Sequence, residues 1–113
     1  MAKDIEIDID RNGACSVVHV QGDIDMKTSP EVRAAILDLF DNRGQERVIL
    51  DLKGVNYIDS SGVASLVEGL QEAKKRNARF ILSCLNEAPR HVLDLTRLTS
   101  VFEITQTVDE ALR

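Results

Sequence analysis

The chain has 113 residues, of which 43% are hydrophobic and 29% charged, and it carries a formal net charge of −5. A chain of this length forms one domain around one core, which we place at residues 1–113. The negative charge argues against nucleic-acid binding, and no apolar run approaches the roughly 20 residues of a membrane-spanning helix. Because the first residues also lack the apolar core of a signal peptide, we expect a cytoplasmic protein.

The N-terminal part of the sequence predicts a β-hairpin followed by a loop. Residues 4–10 alternate charged and apolar side chains, which is the pattern of a half-exposed strand. Residues 15–21 are rich in Val and predict a second strand, and the turn residues at 11–13 make the pair antiparallel. Residues 22–27, Gly-Asp-Ile-Asp-Met-Lys, then form a loop.

A helix and three strand–helix pairs follow this loop. The first helix is expected to begin near Pro30, because Pro suits the first helical turn, and Thr28 with Glu31 has the spacing of a capping box. The later strands are predicted at 47–52, 80–85 and 101–104, and the later helices at 61–76, 89–95 and 108–113.

The order of these elements predicts the fold class. Alternating strands and helices imply parallel neighbouring strands joined by right-handed crossovers. The sequence therefore predicts an α/β domain with a mixed sheet that is mostly parallel after an N-terminal antiparallel hairpin. About four helices are expected, packed mainly against one face of the sheet.

The segment Asp59-Ser60-Ser61-Gly62 lies between the predicted central strand and the second helix. Ligand sites in α/β sheets favour the carboxyl ends of strands, and helix N-termini favour negative groups. A phosphate on Ser60 would add about −1.5 to −2 charges, which the helix end would tolerate and a docking partner would not. Asp and Ser are also preferred N-cap residues, so capping alone explains the same segment. Both interpretations stay open, since one residue can cap while its neighbour is modified.

Few other residues suggest chemistry. Asp23 and Asp25 are interpreted as turn residues rather than metal ligands. Met26 beside them is either an exposed apolar anchor for a partner or a residue packed under the loop. Neither His19 nor His91 has the spacing of a catalytic triad, and no P-loop, Gly-x-Gly-x-x-Gly or Gly-x-Ser-x-Gly motif occurs. The sequence thus predicts no enzyme, no metal and no cofactor.

Three features of the chain resemble the STAS-domain anti-sigma factor antagonist family. They are Gly22-Asp23-Ile24-Asp25 after the second strand, residues 48–52 leading into 57–63, and the order of the elements, so that the resemblance covers essentially the full length. It implies that Ser60, the first Ser after the Asp, is the phosphoacceptor; physical argument alone does not choose between Ser60 and Ser61. The family often has a Gly-Leu-Gly-like sequence after the Ser pair, whereas this chain has Gly62-Val63-Ala64 and lacks the second glycine.

The resemblance also implies the partners. These are an anti-sigma factor that doubles as a serine kinase with a histidine-kinase-like ATP fold, and a PP2C-type phosphatase. The unphosphorylated chain, a monomer when free, would bind the kinase and release the sigma factor. Phosphorylation of Ser60 would end that binding, and the phosphatase would reset the chain. The implied partner-binding surface comprises Asp23, Asp25, Met26, Asp59, Ser61, Gly62 and Val63.

Two alternative functions remain open for a chain of this kind. One is a scaffold subunit of a stress-signalling complex. The other is an accessory subunit of a lipid-transport ATPase, which would bind its ATPase without any phosphorylation.

Overall fold

The computed structural model describes residues 4–113, and the first three residues of the predicted domain lie outside the described residues. Within the described part, strands and helices follow in the order β-β-α-β-α-β-α-β-α, which confirms the predicted order. None of the helices in residues 4–113 is long and apolar enough to cross a membrane. The elements are β1 (Ile5–Asn12), β2 (Cys15–Gly22), α1 (Ser29–Asp41), β3 (Arg47–Gly54), α2 (Ser60–Lys75), β4 (Arg79–Ser83), α3 (Glu87–Leu95), β5 (Glu103–Thr105) and α4 (Val108–Leu112).

The five strands form one sheet in the order β1-β2-β3-β4-β5. A two-residue turn joins β1 to β2, and its Gly13 has a φ of +62°, a conformation that glycine adopts without strain. These two strands are antiparallel, whereas β2, β3, β4 and β5 are parallel because a helix returns the chain between successive strands. The predicted mixed sheet is therefore confirmed.

Helices cover the two faces of the sheet unequally. Alternate residues of β3, such as Val48 and Leu50, face a large core shared with α1, α2 and α3. Between them, Ile49 faces the other side, where α4 packs through Ala111 in a smaller cluster. Three helices therefore share one face, as predicted, and the shortest helix covers part of the other face.

Strand β3 ends two residues later than predicted. Gly54 pairs with Gln21 of β2 after a shift in register, so it continues the strand beyond the predicted end at residue 52. A Cβ atom at this position would lie 2.8 Å from the carbonyl oxygen of Val20. Glycine is thus required because the two backbones approach closely here, and the extended β3 leads the chain to the start of α2.

His19 links three neighbouring strands on the sheet face that α4 covers in part. Its Nδ1 atom lies 2.7 Å from the carboxylate of Asp51 in β3, and its Nε2 atom lies 3.0 Å from the carboxylate of Asp10 in β1. The hydrogen bond to Asp51 is the main cause that raises the pKa of His19, against partial desolvation, and Asp10 adds to it. Burial opposes the charge on Asp51, but the N–H of Lys53 and the His19 ring outweigh it and lower the pKa of that carboxyl.

The pH dependence of stability is expected to report this network. His19 binds its proton more tightly in the folded chain than in the unfolded chain, where its pKa is near 6.5. Its stabilising contribution is therefore full below that value and is lost as pH rises through the raised pKa of the folded state. Asp51 stays ionised throughout this range because its pKa is lowered.

Urea denaturation of the wild-type chain and of His19→Gln, between about pH 5.5 and 8.5, measures this contribution. The difference in free energy of unfolding between the two chains should shrink as pH rises. A difference that stays constant or grows with pH would contradict the linkage.

Candidate functional site

Asp59 caps helix α2, which begins at Ser60. One carboxylate oxygen of Asp59 accepts hydrogen bonds from the backbone N–H groups of Ser61, at 2.9 Å, and Gly62, at 3.1 Å. The backbone of Asp59 is extended, with φ −107° and ψ −171°, as is usual at an N-cap. The capping interpretation is therefore confirmed for Asp59, and the hydroxyl of Ser60 has no part in the cap.

The two serines differ in exposure. Ser60 is exposed, and its hydroxyl makes no hydrogen bond to any group in residues 4–113. Ser61 is half-buried, its N–H is bonded to Asp59, and its carbonyl oxygen accepts a hydrogen bond from the hydroxyl of Ser65 at 3.2 Å. An enzyme that approaches from solvent therefore reaches the Ser60 hydroxyl more readily than that of Ser61.

The backbone N–H groups of residues 61–63, at the start of α2, are not available to a phosphate. The sequence had suggested a helix end that favours a negative group. Asp59 already occupies the N–H groups of Ser61 and Gly62, and the N–H of Val63 bonds to the carbonyl of Asp59 at 2.9 Å. A phosphate on Ser60 would therefore adjoin a carboxylate instead of filling a vacant anion site. Its charge would act mainly on whatever docks at this surface.

The loop after β2 lies directly against the turn that leads into α2. Ile24 forms a parallel bridge with Ile58, donating its N–H to the carbonyl of Tyr57 at 3.0 Å and accepting the N–H of Asp59 at 3.2 Å. The chain thus brings Asp23 and its neighbours in the loop beside the Asp59-Ser60 segment. Two stretches more than thirty residues apart in sequence form one surface at the carboxyl end of the sheet.

Thr28 stabilises this loop in a way the sequence did not predict. Its hydroxyl donates to the carbonyl of Asp23 at 2.7 Å and accepts the N–H of Asp25 at 2.9 Å. The side chain makes no capping bond to α1, so the predicted capping box with Glu31 is wrong, because the hydroxyl finds partners in the preceding loop instead.

Asp25 is held in its turn by the backbone that follows it. Partial desolvation opposes its charge, but the N–H groups of Thr28 and Lys27 outweigh this and lower the pKa of the carboxyl. The loop therefore keeps a fixed negative charge beside the start of α2.

Gly62 and Val63 lie inside the junction and do not face solvent. Val63 is 8% exposed and belongs to the main core. A Cβ atom on Gly62 would collide with the side chain of Ile58 and would lie 2.7 Å from the carbonyl oxygen of Ile24. These two residues can support a partner surface only from below, by allowing the loop and the helix to touch.

Two large apolar side chains are exposed in the segments that meet here. Met26 is 77% exposed and Tyr57 is 50% exposed. The side chain of Met26 is therefore exposed to solvent and is not packed under the loop, which decides between the two placements that the sequence left open. Tyr57 was not among the predicted site residues, although it is the one Tyr of the chain and lies between two buried residues, Val55 and Ile58, ahead of the helix. Exposed apolar side chains beside carboxylates are typical of a protein-binding surface.

The groups that catalysis or metal binding would use are placed as follows in the described residues. Both ring nitrogens of His19 are bonded to the carboxylates of Asp10 and Asp51, within the sheet. Among residues 4–113, no group of three or more His, Cys, Asp or Glu side chains is arranged to hold a metal ion. What the site presents is an accessible hydroxyl on a fixed backbone, flanked by carboxylates and two apolar side chains.

Sequence comparison finds relatives along almost the whole chain. The sequence pattern of the STAS domain family matches residues 6–111. The anti-sigma-B factor antagonist of Bacillus subtilis is 28% identical over 101 residues, which cover 89% of this chain and 91% of that protein. The family match therefore runs from β1 into α4 and includes the candidate site.

Solved structures show the same fold. An anti-sigma factor antagonist from Mycobacterium paratuberculosis superimposes with a TM-score of 0.84 and 29% identity, covering 96% of this chain and 91% of that one. The Bacillus cell fate determinant SpoIIAA, solved in its phosphorylated form, superimposes with a TM-score of 0.74 over 96% of this chain and all of that one. At 18% identity the second match is evidence for the fold alone.

Substitution of Gly62 tests how tightly the loop and the helix are packed. Gly62→Ala is expected to lower the free energy of unfolding by about 1–3 kcal/mol, because the new methyl group meets a backbone carbonyl that cannot easily move. Ser60→Ala, two residues away and exposed, serves as the matched control and should change stability by no more than about 0.5 kcal/mol. Chemical denaturation followed by circular dichroism measures both; equal stability of the two variants would contradict the close approach.

Proposed function

Since the chain belongs to the STAS domain family, we propose that it is an anti-sigma factor antagonist controlled by phosphorylation of Ser60. The observation that carries the proposal is the placement of Ser60, whose exposed hydroxyl has no partner within residues 4–113 while Asp59 and Ile24 fix the backbone around it. The relatives named anti-sigma factor antagonists support the general role.

The proposed partner is an anti-sigma factor that also acts as a serine kinase with a histidine-kinase-like ATP fold. The unphosphorylated chain binds this protein and so releases the sigma factor. The kinase then transfers the γ-phosphoryl group of ATP to the Ser60 hydroxyl and leaves ADP, and the phosphorylated chain dissociates. A PP2C-type phosphatase hydrolyses the phosphoserine and restores the binding form.

The proposed binding surface combines exposed apolar and acidic side chains. Met26 and Tyr57 supply apolar contact area, and Asp23 and Asp25 lie beside Met26 in the loop between β2 and α1. Ser60 adjoins this surface, so a phosphate there adds about −1.5 to −2 charges at its edge. Asp59 contributes by capping α2 and so fixing the backbone beside Ser60. Gly62 and Val63 are buried, so they support the surface from beneath without contacting a partner directly.

The switch is proposed to act through charge and bulk, with the fold unchanged. Backbone bonds from Ile24 and the Asp59 cap hold the segment on both sides of Ser60. A partner that tolerates the carboxylates already present would still have to desolvate a dianion beside them. Like charges brought together at an interface cost several kcal/mol, which is enough to end binding.

Phosphate mapping tests the site. When the wild-type chain is incubated with its anti-sigma factor kinase and ATP, mass spectrometry should find phosphate on Ser60. Ser60→Ala should abolish the modification, and Ser61→Ala should retain it, because the Ser61 hydroxyl is not the acceptor. Phosphate on another residue, with Ser60 unmodified, would overturn the proposed site.

Binding to the same anti-sigma factor tests the switch. Ser60→Asp should raise the dissociation constant at least about tenfold, through a single added charge at the surface. Ser100→Asp is the matched control, since Ser100 is also exposed but lies in the segment between α3 and β5. Both variants should keep the circular dichroism spectrum of the wild-type chain. If binding is as tight for Ser60→Asp as for the control, the charge argument fails and an accessory subunit that binds without phosphorylation is favoured.

A further inference from the structure

The side-chain amide of Asn86 contacts the segment that carries the chain from β3 to α2. Its Nδ2 atom lies 2.9 Å from the carbonyl oxygen of Lys53, 2.8 Å from that of Val55 and 3.2 Å from Oδ1 of Asn56. The last paired residues of β3 and β4 are Asp51 and Ser83, so the two carbonyls lie beyond the end of β4. Asn86 therefore supplies the hydrogen bonds that the next strand no longer provides.

Asn86 makes these contacts at the expense of a local role. It is the N-cap residue of α3, with φ −74° and ψ 167°, and Asn is one of the best N-cap residues. Its side chain nevertheless makes no capping bond to α3. A cap would use the amide oxygen as an acceptor. The three oxygen atoms around the NH₂ group fix the orientation of the amide toward the β3–α2 segment, and the amide oxygen caps no N–H group of α3.

The β3–α2 segment is thus held from both sides. Ile24 of the loop after β2 bonds to the backbone of Tyr57 and Asp59. Asn86, from the opposite neighbour in the sheet, bonds to the backbone of Lys53 and Val55. The attachment through Ile24 uses backbone groups on both sides, whereas the attachment through Asn86 depends on a single side chain.

We propose that Asn86 is a positioning residue that fixes the segment bearing Ser60 for phosphoryl transfer and for partner binding, an inference that rests on the proposed function. The kinase can engage only those chains whose Ser60 segment holds the competent conformation, so a loosened segment weakens the apparent affinity of the chain for the kinase. A segment that is already ordered also spares the entropy cost of ordering it on binding. Asn86 does not touch the reacting atoms and acts through residues 53–56.

Hydrogen exchange tests the clamp on the isolated protein. The reporter amides are those of Ile24, Val55 and Asp59, each bonded within or to this segment. Asn86→Ala should quicken their exchange about tenfold, and Asn86→Asp at least as much, because the isosteric carboxylate cannot donate and repels the three oxygen atoms. Thr107→Ala, which removes the cap of α4, is the matched control and should leave these amides unchanged.

Kinetics of Ser60 phosphorylation test the positioning role. With the kinase that modifies the wild-type chain, Asn86→Ala should raise KM for the chain about tenfold and change kcat little, because fewer molecules hold the competent conformation. Thr107→Ala should leave KM and kcat unchanged, even if it lowers the thermal stability of the chain as much as Asn86→Ala does. Unchanged exchange in Asn86→Ala overturns the clamp, and faster exchange with an unchanged KM overturns the positioning role. If the wild-type chain is modified elsewhere than Ser60, the proposed function fails, while the exchange data still decide whether the clamp exists.

Discussion

The contact between Ile24 and Ile58 is the constraint on which the candidate site depends. It is a single parallel bridge beyond the end of β2, and it joins the loop after that strand to the turn before α2. The contact is possible only because Gly62 has no side chain where the carbonyl of Ile24 passes. A buried apolar pair and a missing Cβ therefore bring the acidic loop beside Ser60, so the surface depends on the packing beneath it.

This construction favours a switch that works by charge. The segment around Ser60 is bonded to its neighbours through Ile24, through the Asp59 cap and through Asn86. Movement of the segment would break several of these bonds together, each of them worth roughly 0.5–1.5 kcal/mol. In the proposed switch, a phosphate on the exposed Ser60 hydroxyl would break none of them, and its charge would act directly on the proposed partner. Under the proposed function, the surface would therefore change its affinity for the partner while its shape is preserved.

The sequence predicted the elements well because their signals are local. The alternation in β1, the apolar run of β3 and the Asp-Ser pair at the start of α2 each report the environment of a few consecutive residues. The errors and omissions concern side chains that had a choice of partner. Thr28 has the spacing of a capping residue but bonds to the carbonyl of Asp23, and Asn86 has the character of a cap but bonds to Lys53 and Val55. The partners of Asn86 depend on which strands become neighbours, which no short window of sequence contains. Thr28 instead chooses between two local partners, the preceding loop and the following helix, and its spacing from Glu31 does not decide between them.

The one departure from the family pattern at this site, Ala64 in place of a second glycine, falls where the fold accepts it. Ala64 is exposed, so its methyl group points away from the contact that Gly62 makes possible. Ala also favours a helix by about 1 kcal/mol over Gly, which strengthens the turn that holds Ser60. Residues four apart share one face of a helix, so Ala64 lies on the same face of α2 as Ser60. An alanine at this position therefore changes the surface near Ser60 and leaves the junction below it intact.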